Sequence, residues 1–240
     1  MKYALVLFAF LVVSCSQKSE EATEQKKGAR VQKEGSAGIF TISEITEARF
    51  KDAASTYQSP VQPDTNYIKK KSGQLTIPIS QFIEDDDTSF IYRDRVVPDI
   101  EEEDITHEYK GYYKTIESHL LRTIFYEAVE WQFISRTGTK TQIWDTPIFS
   151  PDGKYFMCYL TYGLESEPLG LQIWKVEESQ SDPDKPLELM KILELNQLLF
   201  NPLECFWTKE RSIVMKAEKM KDQYYPEQPS EVYFLELKFK

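Results

Sequence analysis

Apolar and polar positions alternate over short stretches of this chain, and turn-rich intervals separate them. "TPIFSPDGKYFMCYL" is two β-rich runs flanking Ser150-Pro151-Asp152-Gly153. That tetrad predicts a tight turn, because proline presets φ, aspartate caps locally and glycine accepts positive φ. "LGLQIWKVE" predicts a third strand and "LELMKILEL" a fourth, which makes a four-stranded meander. The unit then recurs: "LECFWTKERSIVMKAEK" reads as strand, polar turn and strand, and "SEVYFLELKFK" as the next strand. Phe149-Ser150 matches Trp207-Thr208, Lys154 matches Arg211, and "QIWKVE" matches "YFLELK", with a period near 58 residues, the separation of Phe149 from Trp207. Upstream, "GYYKTIESHLLRTIFYEAVEWQFISRTGTKTQIWDT" predicts further strands, with a hairpin turn at Thr137-Gly138.

Between Ile39 and Ile105, "IFTISEITEARF", "GQLTIPIS" and "SFIYRDRVV" alternate like strands, and the prolines of "YQSPVQPDTN" mark a loop. Long helices are not evident; only Glu101 to Leu121 and Leu187 to Leu199 admit a helical reading. Repetition at this scale signals a propeller or an array. "IFSPDGKYFMCY" resembles the WD40-like repeat of periplasmic and lipoprotein β-propellers, whose blades carry "FSPDG" between their first two strands. The resemblance is specific over about a dozen residues and looser over residues 110–240, and it leaves Asp152 and Gly153 as turn residues. Two or three blade-like units can be counted, against about four to eight in closed propellers. The expected fold is therefore mainly β: antiparallel blade-like meanders forming either a partial β-propeller, with divergent blades in the first half, or an open twisted sheet.

The N-terminus follows a different rule. Lys2 precedes an uncharged apolar run from Tyr3 to Val13, which falls short of the roughly 20 residues of a membrane span and has the form of a secretory signal. The run ends in Val12-Val13-Ser14-Cys15, which resembles the lipobox of bacterial lipoproteins: aliphatic, small or branched, small, cysteine. The resemblance implies cleavage after Ser14, a diacylglyceryl thioether on Cys15 and acylation of the new amine. Several acyl chains give a stable anchor where one binds marginally. Ser16, in place of aspartate, favours the outer membrane, and Glu20 and Glu21 resemble the acidic surface-export signals of some envelope lipoproteins. Residues 15–38 are nearly devoid of apolar side chains and are expected to be a flexible tether. The domain organisation is then a signal peptide over 1–14, a tether over 15–38 and one mainly-β domain over 39–240.

Composition narrows the partners. The formal charge is −10, and loss of Lys2 with the signal makes it −11, which disfavours nucleic acid and anionic lipid as partners of the folded surface. The 14 Tyr, 14 Phe and 4 Trp suit a packed β core. With Cys15 lipidated, Cys158 and Cys205 remain, either as buried thiols or as a disulfide in an oxidising envelope. The acidic runs at Glu84 to Asp87 and Glu101 to Asp104 lack the alternation and glycine of a calcium loop and read as solvated loops. His107 and His119 have no third ligand at zinc spacing, and no Gly-rich phosphate loop or G-x-S-x-G elbow occurs. No cofactor and no metal are expected.

The lipobox resemblance, with the lack of a catalytic motif, leads us to expect a membrane-anchored envelope lipoprotein, periplasmic or surface-facing, with a non-enzymatic binding or scaffolding domain for an envelope protein or glycan. One alternative is surface glycan binding through the tyrosine-rich runs "EYKGYYK" and "DQYYPEQP", with Tyr112, Tyr113, Tyr224 and Tyr225 as candidate ligand-binding residues. The other is a hydrolase with an unrecognised site around His119 and neighbouring acids.

Overall fold

The structure is a computed structural model that describes residues 40–80, 88–161, 169–177, 187–196, 200–219 and 231–239. Cys15, Tyr224, Tyr225, the signal and tether segments and the Glu84 to Asp87 run lie outside the described residues. The fold is mainly β, in antiparallel sheets that do not close into a barrel. Three of the sheets have four strands. The first joins β4 (Thr106–Tyr113), β5 (Ser118–Ile124), β6 (Val129–Ser135) and β7 (Lys140–Ile143) in chain order. The second is β8 (Ile148–Phe149), β9 (Tyr155–Leu160), β10 (Gly170–Glu177) and β11 (Glu188–Asn196). The third is β12 (Phe200–Trp207), β13 (Ile213–Lys219) and β14 (Val232–Phe239), completed at its edge by β1 (Phe40–Glu44) from the other end of the domain. A two-stranded hairpin, β2 (Gln74–Pro78) and β3 (Ser89–Arg93), makes the fourth sheet.

Successive side chains of a strand point to opposite faces, and here both faces are buried. On β9, Phe156 and Cys158 pack against Leu120, Trp131 and Phe133 of the first sheet, while Met157 packs against Cys205, Trp207 and Met215 of the third. Leu121 and Ile134 on the far face of the first sheet are covered by Leu75 and Ile77 of the hairpin. Val214 on the far face of the third sheet is covered by Phe50 and Ala53 of α1 (Glu47–Thr56). The layers thus run α1, third sheet, second sheet, first sheet, hairpin, and the two end faces are capped rather than joined.

Residues 57–66 strap the layers together. The Tyr57 hydroxyl donates to the Phe149 carbonyl at 2.7 Å, Val61 enters the core between the first two sheets, and Asp64 exchanges backbone hydrogen bonds with Tyr112. The strap lies so close to β4 that a Cβ on Gly111 (φ +129°) would fall 2.6 Å from the Pro63 Cβ, which restricts that position to glycine.

Three expectations need correction. The alternating run from Ile39 to Phe50 is a strand only to Glu44. The Thr46 hydroxyl then accepts from the Arg49 N–H at 3.3 Å and caps α1, whose Phe50 and Ala53 face the sheet at helical spacing. The helical reading that 101–121 and 187–199 admitted does not hold over their described residues: β4, β5 and β11 occupy 101–121 and 187–196, with 3-10 turns at Glu101–Glu103 and Lys114–Ile116. The turns after Phe149 and Trp207 are similar, but in them Arg211 corresponds to Gly153 rather than to Lys154. Gly153 (φ +70°) donates its N–H to the Ser150 carbonyl at 2.9 Å, and Arg211 (φ +63°) donates to the Thr208 carbonyl at 3.1 Å. The second turn is one residue shorter, since the Ser150 N–H pairs with the Tyr155 carbonyl and the Thr208 N–H with that of Ser212.

Cys158 and Cys205 are free thiols, fully buried on opposite sides of the second sheet's two cores, and burial pushes both well above the ordinary thiol range.

Candidate functional site

Two places gather polar and aromatic side chains. The first contains Tyr112. A bulge at Lys110 interrupts the pairing of β4 with β5, so that Tyr109 faces Leu121 and Gly111 faces Leu120. In a regular strand residues three apart point to opposite faces; the extra residue brings Tyr109 and Tyr112 to the same one. Between them lies His119, buried, with Nδ1 3.0 Å from the Tyr109 hydroxyl and its ring 4.8 Å from that of Tyr112. Tyr67 stacks on Tyr112 at 4.7 Å and remains 52% exposed. Burial holds the His119 imidazole down at about 4, so it is neutral at pH 7 and suits an aromatic box. Burial, with a smaller contribution from the Asp64 charge, raises the Tyr109 hydroxyl.

Tyr113 points the other way. It is 4% exposed, edge-on to Phe133 and stacked on Phe149 in the core between the first two sheets, so it offers no face to a ligand. Of the tyrosines named from sequence, Tyr112 alone has a partly open surface among the described residues. His107 lies apart from this cluster, 3.5 Å from Asp94 and against the Tyr92 ring. Burial works to raise the Asp94 carboxyl, but hydrogen bonds from Lys70 and the His107 N–H outweigh it and hold the group low.

The second place is a cleft of about 510 Å³ between the first and second sheets. That volume lies within the range of small-molecule sites, about 300–1,000 Å³. Its first wall comes from the β5–β6–β7 end of the first sheet. Trp131 sits opposite Arg122 across the β5–β6 ladder, with the guanidinium 5.5 Å and the Lys110 ammonium 5.7 Å from its ring. Arg122 and Lys110 are both paired with Glu108, at 3.0 and 2.8 Å. Trp144 and Asp145, just past β7, are half-buried at the edge, and Gln142 is exposed at the rim.

The second wall depends on another bulge. On β11 the register passes from Leu193 opposite Ile173 to Lys191 opposite Trp174, skipping Ile192. Lys191 and Glu194, three residues apart, therefore share a face and pair with each other. The Lys191 ammonium stands 5.6 Å from the Trp174 ring. Gln172, 3% exposed, ties the walls together. Its Oε1 accepts from the Trp144 backbone N–H and from Trp174 Nε1–H, each at 3.2 Å, and its Nε2 donates to Glu194 Oε2 at 3.1 Å.

Sequence reasoning named none of the cleft residues. A signal was present: "EWQF" and "TQIWD" place two of the four tryptophans within two residues of a glutamine, one on β6 and one just past β7 of the same hairpin. Among the described residues no three His, Cys, Asp or Glu side chains gather as a metal site, and no helix is long and apolar enough to cross a membrane.

Comparison of the chain with family models, curated proteins and solved structures finds no match.

Proposed function

We propose that this chain is a lipid-anchored, non-enzymatic binding protein of the bacterial envelope, with the cleft between its first two sheets as the ligand site. The cleft carries the reading: it combines half-buried indole surface with polar groups whose positions are set by a buried amide and the β11 bulge. Such preorganisation lowers the ordering cost of binding. The lipobox at Cys15 and the polar tether behind it supply the anchor and the reach from the bilayer. The imidazole of His119, neutral and enclosed by tyrosines, serves packing in this reading.

A photo-crosslinking amino acid at Gln142, in the full chain produced in intact bacterial cells, tests both parts. The expected product is a crosslink to an envelope component in the membrane fraction, with Cys15→Ala moving the protein out of that fraction. An anchored protein that gives no crosslink would refute the binding cleft. A Cys15→Ala protein that stays membrane-bound like the parent would refute the anchor.

A further inference from the structure

We infer that the cleft takes a saccharide: an uncharged, hydroxyl-rich ring or a short chain of rings. This rests on the reading of the cleft as the ligand site and goes on to name the ligand class. The lining residues carry two cations, Arg122 and Lys191, and two anions, Asp145 and Glu194. Arg122 is paired to Glu108 and Lys191 to Glu194, so an anionic ligand would have to break an existing pair, and a cationic one would meet only Asp145 outside those pairs, in a lining that also holds Arg122 and Lys191. An apolar side chain fits no better, because it would cover Gln142, Asp145 and Glu194 without returning hydrogen bonds.

A sugar ring answers both walls. Its C–H face packs on indole, and Trp144 presents a partly open ring at the edge of the cleft. Its neighbouring hydroxyls, each donor and acceptor, match the planar amide of Gln142 and the carboxylates of Asp145 and Glu194. Gln172 holds the Trp144 backbone and the Glu194 carboxylate at once, so the indole and one of the acceptors are set in place together. The cleft volume of about 510 Å³ leaves room for more than one ring.

The test uses the full lipidated chain in a detergent without a sugar headgroup, titrated with maltohexaose, cellohexaose, chitohexaose and, as the acidic counterpart, hexagalacturonate. Tryptophan fluorescence is the readout. Saturable binding of at least one neutral oligosaccharide is expected, weakened at least about tenfold by Trp144→Ala and several-fold by the exposed-site change Gln142→Ala. Tyr67→Ala, in the other aromatic cluster, should leave it unchanged. Preference for hexagalacturonate, binding that survives both cleft variants, or no binding at all overturns the assignment. A crosslink from Gln142 to a protein in cells, without sugar binding, ends the saccharide assignment and leaves the binding cleft intact; failure of both experiments ends both.

Discussion

Replacing Gln172 by leucine removes the side chain that joins the two walls of the cleft at nearly constant volume. Three hydrogen bonds go with it: two accepted by Oε1, from the Trp144 N–H and from Trp174 Nε1–H, and one donated to Glu194. Trp174 is only 6% exposed, so its indole N–H is left without an acceptor and out of reach of water. An unmet buried donor of this kind costs about 1–3 kcal/mol, and the Trp144 N–H, nearer the open cleft, falls at the low end of that range. Leucine returns little, because the loss is one of partners rather than of volume. We expect Gln172→Leu to destabilise the domain by about 2–4 kcal/mol. Urea unfolding of the full chain on a Cys15→Ala background, followed by tryptophan fluorescence, measures it without detergent. Gln172→Glu sharpens the test. It keeps an oxygen for both indole-side donors but sets a second carboxylate against Glu194, so its deficit should shrink as pH falls and one of the two takes up a proton. A Gln172→Leu loss below about 1 kcal/mol, or a Gln172→Glu deficit independent of pH, would show that the amide does not hold the walls.

Two further outcomes follow from other parts of the fold. Burial depresses the His119 imidazole to about 4 in the folded chain from about 6.5 unfolded, so its contribution is complete above pH 6.5 and is lost as pH falls through 4. The shift corresponds to about 3 kcal/mol, and His119→Gln should flatten the acid limb of a stability-against-pH curve in that window; an unchanged limb would refute the burial. At Gly170 (φ +135°) an added Cβ would lie 1.9 Å from the Leu195 carbonyl oxygen, which is backbone of the neighbouring strand and has nowhere to go. Gly170→Ala should therefore cost about 2 kcal/mol or more in thermal unfolding and loosen β11 from β10, and parental stability would contradict the register of that pair.

Much of the architecture was legible because turns carry their own chemistry. Pro151-Asp152-Gly153 and Thr137-Gly138 mark their turns in residue type alone, and the Ser150 and Thr208 hydroxyls accept from the Tyr155 and Ser212 N–H groups at 3.0 and 3.1 Å, which is why the repeat survives in the sequence. Face assignment was not legible, for a physical reason. Both faces of each four-stranded sheet are covered, so strands such as "YFMCYL" read as unbroken apolar runs and give no sign of which side chain meets which neighbour. Helix α1 was hidden by the alternation that runs into it from β1, although Thr46 followed by Glu47 is the capping signal that ends the strand pattern.

The functional surfaces were hidden by one device used twice. A bulge adds a residue that no period-two reading anticipates, and it turns a pair three apart into a pair on one face. On β4 it gathers Tyr109 and Tyr112 around His119 and, beyond the bulge, sends Tyr113 into the core, which separates two tyrosines that are adjacent in sequence. On β11 it sets Lys191 and Glu194 side by side along the cleft, where Gln172 and Trp174 of β10 meet them. In a stack whose sheets are buried on both faces, side chains reach solvent along the edge strands, at sheet ends and at such irregularities. An irregularity on an edge strand, as on β11, is therefore a place where a ligand can be met. Deleting Ile192 should restore the regular β10–β11 ladder with Lys191 still opposite Trp174 and Glu194 still opposite Gln172, so a folded deletion should keep cleft binding and leave the Tyr67–Tyr112 cluster on the other side of the first sheet intact. Loss of cleft binding in a folded Ile192 deletion would show that the extra residue itself, and not the pairing on either side of it, shapes the site.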